Sequence, residues 1–496
     1  MTDIKPLVLD VDGTFLKTDM LWECFWAGLG RDPIATLKCC FGTLGQRAAL
    51  KEGLARIAGI RTDLLPVTPE VADLALQSRV AGREVVLASG SDESLVRRLS
   101  GEYGLSERVF ASDGRTNLTG RAKAAALVAA FGERGFDYAG NGAVDMAVWE
   151  HAENALVIGH PNSARALSAK GQNVVELSNP VRLGGLLKAL RPHQWVKNLL
   201  VFAPLLFFTP TGGALGTPRL SDPRAWMLAI AAFATYCCIA SAIYLVNDIV
   251  DRDEDRRHPK KRLRPIASGE LPVARALMAA AGLLAAGAAL TVFVHGAADE
   301  LIGDGTPPGL RFFVWPQAYL GLNLLYTFWG KRVVVIDCMC IALGFQLRVL
   351  AGASAIVVET SHWISLCTFF FALFLAFCKR YEEVGRQVET DGQTRATMRD
   401  YSEPLLNMII GPLAALSILT YALYTVSPET VARHHTDALM YTVPVVTYGV
   451  FRYLFLVYRR SEGGDPARLL FRDRPLIASG IVYVLLVLLV LHGRSR

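Results

Sequence analysis

Asn247, Asp248, Asp251 and Asp255 place four oxygen-bearing side chains within nine residues of chain. Asn247, Asp251 and Asp255 fall at i, i+4 and i+8, so a helix running through them carries all three on one face, with Asp248 beside them. The set begins where an apolar run, "WMLAIAAFATYCCIASAIYLV", ends, and Arg256, Arg257, Lys260, Lys261, Arg262 and Arg264 follow it. Cations at such a boundary follow from the positive-inside rule. Carboxylates in helical register beside an apolar segment do not, because they are costly near a bilayer. Oxygen-only ligands suit Mg²⁺, which commonly bridges carboxylates to substrate phosphates. The chemistry this predicts is a metal–diphosphate site at a membrane surface, where metal and cations stabilise a departing phosphate-bearing group.

A second constellation lies near the N-terminus. "PLVLDVDGTF" is an apolar strand run that ends in Asp10 and Asp12, two carboxylates two residues apart and therefore on one side of an extended chain. "EVVLASGSDESL" gives a second strand ending near Ser89. "NLTGRAKAAAL" places Lys123 at the start of a helix, and "FDYAGNGAVDMAVW" gives a third strand followed by Asn141 and Asp145. Strands alternating with helices predict an open parallel α/β sheet, a Rossmann-like arrangement with ligands at the strand carboxyl ends.

The elements that must position these two sets differ in kind. Of 496 residues, 52% are hydrophobic and only 19% charged, with a mean hydropathy of +0.32, so membrane spans are expected. Residues 1–190 read as a soluble domain, and the long apolar runs occupy 195–493. Runs of spanning length fall at about 196–209, 225–246, 272–294, 312–329, 333–357, 361–378, 404–427, 437–458 and 475–492, which predicts an all-α bundle of about nine helices. The connections 248–271, 331–332, 379–403 and 459–474 are basic and are expected on the cytoplasmic side, together with the N-terminal domain; 210–224, 295–311, 358–360, 428–436 and the tail "HGRSR" are expected outside. The N-terminus has acids in its first apolar stretch and is not expected to be a signal peptide. Nine cysteines occur without paired CxxC motifs or histidines at zinc spacing, so neither a zinc site nor a disulfide framework is indicated. No nucleic-acid module or repeat is evident.

"NDIVDRDEDRRHPKKRLRPIASG" resembles the first aspartate-rich motif of the UbiA superfamily of intramembrane prenyltransferases, and the resemblance extends over about 186–493, including "LRPHQWVKNLLVFAPLLF" and "YTFWGKRVVVIDCMCIALGFQLRVLAGA". It implies a nine-helix bundle around a cavity open to lipid. Most members carry a second acidic motif after the sixth span. This chain has "FCKRYEEVG" there, with Lys379, Arg380, Glu382 and Glu383; Lys379 and Glu383 are spaced to pair. A cationic second site suits direct contact with a phosphate rather than a metal bridge. That pattern, with "RPHQWVKN" and "FRYLFLVYRRSEGGDPARLLFRDRPL" (451–476), resembles the branch of polyprenyl-phosphate (decaprenyl-phosphate) phosphoribosyltransferases. The branch implies transfer of 5-phosphoribose from phosphoribosyl pyrophosphate to a polyprenyl phosphate in the bilayer. Pyrophosphate would leave from Mg²⁺ held by Asn247, Asp248, Asp251 and Asp255. The acceptor phosphate would meet the cations Lys197, Arg264, Lys379, Arg380 and Arg452, with Glu383, Arg191, Gln194, Asn198 and Arg348 as further substrate contacts. Tyr326, Lys331 and Asp337 match family-like positions. Arg348 stands out because it lies inside an apolar run.

In their order, the N-terminal pieces resemble the four motifs of the haloacid dehalogenase superfamily of phosphatases, with a helical cap inserted at about 16–80. The resemblance implies that Asp10 is the nucleophile and Asp12 the general acid and base. Ser89 and Lys123 would hold the phosphoryl group, and Mg²⁺ would sit among Asp10, Asp12, Asn141 and Asp145. Asn141 departs from the acid usual at its position. The expected domains are therefore 1–180, a linker over 181–195 and a membrane transferase over 196–496. Their pairing predicts phosphoribosyl transfer followed by removal of the 5-phosphate, in the inner membrane of a bacterium. The competing expectation is transfer of a prenyl chain from its diphosphate to an aromatic or other acceptor, with Glu382 and Glu383 at the second metal. A transporter or lipid-binding scaffold is the remaining class; it predicts no turnover lost when Asp251 becomes alanine.

Overall fold

The computed structural model of the protein describes residues 5–177, 184–207, 222–302, 311–358, 360–389, 400–434, 436–460, 469 and 472–492. The expected linker and basic connections fall partly outside these residues, at 181–183, 390–399, 461–468 and 470–471; so do 210–221, 303–310 and 493–496 of the segments expected outside the membrane. The chain forms two compact units: Met1–Ala189 with Leu245–Met278, and Leu190–Tyr244 with Ala279–Arg496.

The first unit is built on a six-stranded parallel sheet: β1 Leu7–Asp10, β2 Val85–Asp92, β3 Val109–Ser112, β4 Asp137–Gly140, β5 Asn154–Ile158 and β6 Asn173–Leu177. The strand order is β3-β2-β1-β4-β5-β6. Leu7, Val8 and Leu9 are wholly buried, which is why the strand reads as a continuous apolar run rather than an alternation. β1 pairs with β2 on one side (Leu7 opposite Val85) and with β4 on the other (Leu7 opposite Asp137). Chain order reverses between β1 and β4, and at such a reversal the following loops part and leave a crevice at the carboxyl ends. Between β1 and β2 the chain makes four helices, Met20–Arg31, Pro33–Gly42, Arg47–Ala58 and Pro69–Val80. They occupy the stretch expected to form a cap.

In the second unit, Val201, Leu228, Tyr236, Ile239, Ile243, Tyr319 and Ala351 form one apolar core. Phe374, Phe377, Tyr401, Ile410, Tyr453 and Leu456 form another. Six helices among the described residues are long and apolar enough to cross a membrane: Pro223–Val250, Val273–Ala298, Ile336–Ala355, His362–Gly385, Glu403–Val426 and Ala438–Arg459. The protein is thus read as a multi-pass membrane protein. The remaining three expected spans differ for local reasons. Residues 196–209 are not one helix: a 3₁₀ helix, Pro192–Phe202, leads into a short α-helix, Ala203–Phe207, and 208–209 lie outside the described residues. The 312–329 segment is the continuous helix Arg311–Phe328, whose apolar run is diluted by Gln317 and Asn323. The last is the shorter apolar helix Arg474–His492.

Candidate functional site

At the carboxyl end of β1, Asp10 is buried and both its oxygens are engaged. Lys123 Nζ donates to Oδ1 at 2.6 Å, and Thr14 Oγ1 donates to Oδ2 at 3.1 Å. Lys123 reaches inward from the first turn of the helix Arg121–Phe131 and also donates to the Tyr138 hydroxyl at 3.0 Å. That hydroxyl donates to Asp145 Oδ1 at 2.8 Å, and Asp145 Oδ2 accepts from the backbone N–H groups of Asn141 and Gly142. Asp145 therefore organises the loop after β4. Asp12 accepts three hydrogen bonds: Ser89 Oγ at 2.9 Å and Ser91 Oγ at 2.7 Å on Oδ2, and Met20 N at 2.8 Å on Oδ1. Gly13 has φ +75, and a Cβ there would meet Asn141 Nδ2 at 2.2 Å. Glycine thus lets the β1 and β4 loops close on each other.

Six residues expected from scattered motifs thus converge at one crevice: Asp10, Asp12, Ser89, Lys123, Asn141 and Asp145. Burial pushes the Asp10 carboxyl up to about 7, with Asp145 and Asp12 adding to the rise and Lys123 opposing it. Burial lowers the affinity of Lys123 for its proton, but Asp10 and Asp145 outweigh that and raise it. Lys51 was not foreseen. It comes from the cap helix Arg47–Ala58 and donates to Gly90 O at 2.6 Å and to Asn117 Oδ1 at 2.8 Å. Tyr138 and Ser91 were also missed as site residues. Ser91 was legible, two residues after Ser89 on the same strand; Lys51 carries no signal, because only folding brings the insert to β2.

The acidic segment completes the first unit. Asn247 and Asp248 lie in the last turn of the helix Pro223–Val250, Asp251 stands at the start of the next helix, Arg252–Arg257, without a side-chain capping bond, and Asp255 lies within it. Carboxylates at a helix C-terminus oppose its dipole and call for a cation. Arg264 Nη1 supplies one, at 3.1 Å from Asp248 Oδ1 and 2.6 Å from Asp255 Oδ2. Burial raises the Asp255 carboxyl above its ordinary value, against the pull of Arg264. Asn247 Oδ1 is buried with no hydrogen-bond partner. Among the described residues no group of three or more His, Cys, Asp or Glu side chains is gathered as a metal-ligand set. Two acids instead converge on one guanidinium nitrogen, and the residue before Asp248 carries an orphaned amide oxygen. That donor set fits a hard cation, with Arg264 standing in its place. Arg256 was expected to neutralise phosphate. It is turned away, and with Arg252 it binds Glu23 of the cap.

In the second unit, Arg348 is buried and bonded to neutral groups: Nε to Asn198 Oδ1 at 2.7 Å, Nη1 to Gly344 O at 2.7 Å and Nη2 to Tyr319 OH at 2.6 Å. Its guanidinium also stands 4.6 Å from the Tyr319 ring centroid. Arg191 stands 5.2 Å from the Tyr244 ring. The open cation expected at Arg380 is not what the fold provides. Arg380 is buried, its Nε bound to Asp337 Oδ2 at 2.7 Å and its Nη1 to Glu383; Asp337 also accepts from Tyr401 OH. Arg452 is likewise neutralised by Asp473, through two hydrogen bonds of 3.1 and 2.8 Å. Lys379 is part-exposed and lies 3.9 Å from Glu383, as its spacing predicts. Lys197 and Gln194 are partly exposed on the 3₁₀ helix Pro192–Phe202. Tyr326 ends the helix Arg311–Phe328, and Lys331 is buried just beyond it.

A parallel α/β unit and apolar helices of spanning length, one of them ending in acids, define a multi-pass membrane protein. The sequence profile of the UbiA prenyltransferase family matches residues 205–473, and the chain belongs to that family. It is 31% identical to the protein y4nM of Sinorhizobium fredii over 494 residues, which span 96% of this chain and 90% of that one. It is 34% identical to decaprenyl-phosphate phosphoribosyltransferase of Corynebacterium glutamicum over 311 residues, 62% of this chain and 87% of that enzyme. A solved UbiA homologue from Archaeoglobus fulgidus, bound to GPP and Mg²⁺, covers 62% of this chain at 18% identity with a TM-score of 0.45.

Proposed function

We propose that this protein is a bifunctional membrane enzyme. Its membrane half transfers 5-phosphoribose from phosphoribosyl pyrophosphate to a polyprenyl phosphate, and its head then removes the 5-phosphate. The observation that carries the first step is the convergence of Asp248 and Asp255 on one guanidinium nitrogen, next in sequence to Asn247, whose buried Oδ1 has no hydrogen-bond partner. The identity to a named decaprenyl-phosphate phosphoribosyltransferase supports the choice of donor and acceptor. In the transfer, the bond between the ribose anomeric carbon and the pyrophosphate oxygen breaks, and a lipid phosphate oxygen forms the new bond to that carbon.

Asn247, Asp248, Asp251 and Asp255 would hold Mg²⁺, whose charge stabilises the departing pyrophosphate. Arg264 is displaced from the two acids and becomes available to phosphate oxygens. Lys197 and Lys379, both part-exposed, are assigned to the acceptor phosphate. Arg348, Asn198 and Tyr319 form a preassembled polar cluster assigned to orienting a phosphate or sugar hydroxyl. Arg380 with Asp337 and Arg452 with Asp473 hold helices together. In the head, Asp10 attacks the 5-phosphate and forms an aspartyl-phosphate while Asp12 delivers a proton to the ribose oxygen; Asp12 then takes a proton from the water that hydrolyses the intermediate. Ser89 and Lys123 bind the phosphoryl oxygens.

The test is pyrophosphate release by the full-length protein in detergent, given phosphoribosyl pyrophosphate and Mg²⁺. Release should require polyprenyl phosphate and fall by about 100-fold or more in Asp251→Ala. Unchanged release in that variant contradicts the assignment.

A further inference from the structure

The helix Arg252–Arg257 has two chemically opposed faces. Asp255 turns to Arg264, whereas Arg252 and Arg256, one helical turn apart, turn to a single carboxylate on the cap helix Met20–Arg31. Arg252 Nε donates to Glu23 Oε2 at 2.7 Å; Arg256 donates through Nη1 to Oε2 at 3.0 Å and through Nη2 to Oε1 at 2.8 Å. Thr18 Oγ1 adds a bond to Oε1 at 2.6 Å. Arg252 Nη2 also reaches the Glu23 carbonyl at 2.9 Å, and Arg256 Nε the Ala267 carbonyl at 3.1 Å. Glu23 and Arg252 are each only 1% exposed, so water cannot replace either partner. The following turn rests on the same body: Gly269 adopts φ +72, and a Cβ there would lie 2.8 Å from Lys17 Cβ and 3.0 Å from Pro66.

We propose that Glu23 is a positioning residue of the transfer site: through Arg252 and Arg256, the cap of the head sets the geometry of the acidic helix. The head is then a structural part of the machinery that would hold the diphosphate rather than a second enzyme tethered to it. Two buried guanidinium groups share the Glu23 carboxylate, and the part-exposed Asp253 lies 3.3 Å from Arg256 Nη1 and 3.9 Å from Arg252 Nε. Without the Glu23 charge, Asp253 offsets only part of their mutual repulsion in a low-dielectric site, and they are driven towards water. Arg252 and Arg256 directly follow Asp251 and Asp255, so their displacement rotates both acids out of place. The proposal rests on the transferase reading above.

The experiment compares the parent, Glu23→Gln and Glu23→Asp as full-length proteins in detergent. Glu23→Gln keeps the shape of the side chain and removes its charge. Limited trypsin digestion should cut the 252–264 run about tenfold faster in Glu23→Gln than in the parent, because cleavage tracks the open population of a segment. The Mg²⁺ concentration giving half-maximal transfer should rise about tenfold in Glu23→Gln, with the saturated rate changed far less, and Glu23→Asp should recover part of both effects. A parent that transfers nothing overturns the transferase reading and the positioning role together. A parent that transfers, paired with a Glu23→Gln protein matching its cleavage rate or its Mg²⁺ dependence, overturns the positioning role alone.

Discussion

Most charged residues of interest are already partnered, and the partners decide what each can do. Asp10 is held by Lys123 and Thr14 at the end of a buried strand, with its carboxyl raised to about 7 by burial. Its replacement by asparagine keeps the volume and removes the nucleophile. Asp10→Asn should therefore abolish release of inorganic phosphate from a ribose 5-phosphate ester while transfer continues; a variant that still releases phosphate at the parent rate removes Asp10 from the chemistry. Glu23 shows the opposite electrostatics. Burial raises its carboxyl, but Arg252 and Arg256 more than reverse this and hold it at about 2, below the ordinary 4.5. A depressed carboxyl stabilises the fold fully above its unfolded value and loses that contribution as pH falls towards the folded value. The gap corresponds to about 3 kcal/mol. The first unit should lose stability between pH 4.5 and 2, and Glu23→Gln should flatten this part of the profile, measured by denaturant unfolding monitored across that range. Asp10 and Lys123 were legible because one ends β1 and the other lies in the first turn of a helix, and Asp12 and Ser89 because they sit in or directly beyond apolar strand runs. Glu23, Arg252 and Lys51 were not. Glu23 and Arg252 lie 229 residues apart, and no local spacing marks a contact at that separation.

The element that matters most is the short helix Arg252–Arg257 with the turn that follows it. The i, i+4, i+8 pattern showed where its acids would lie, since a helical period is a local property. It did not show that the arginines between them would face a cap helix, nor that the turn would be wedged against Lys17 and Pro66. Gly269 occupies the left-handed region in close contact with both, so Gly269→Ala should cost roughly 1–3 kcal/mol and lower the thermal midpoint by several degrees. An alanine variant as stable as the parent would show that the turn is not packed there. Apolar length predicted the spans well where the run was uninterrupted. It overreached at 196–209, where Pro192 opens a 3₁₀ helix, whereas at 312–329 the expected helix forms as Arg311–Phe328 with Pro316 inside it. Hydropathy counts apolar residues but not the helix type they adopt.

Across the whole molecule, composition alone separated a soluble α/β portion from a membrane portion. It placed the acidic segment with the helices that precede and follow it, whereas in the fold residues 245–278 pack as part of the first unit. A protein assembled this way brings the Asp10 crevice and the acidic helix into one body. That arrangement suits two consecutive steps on one phosphorylated sugar. The most direct test supplies the full-length protein with phosphoribosyl pyrophosphate labelled in the ribose, polyprenyl phosphate and Mg²⁺, and follows the label into the organic phase. Label should enter the lipid fraction and disappear from it in Asp251→Ala. Label that stays in the aqueous phase, while a labelled prenyl diphosphate is consumed instead, would contradict the account.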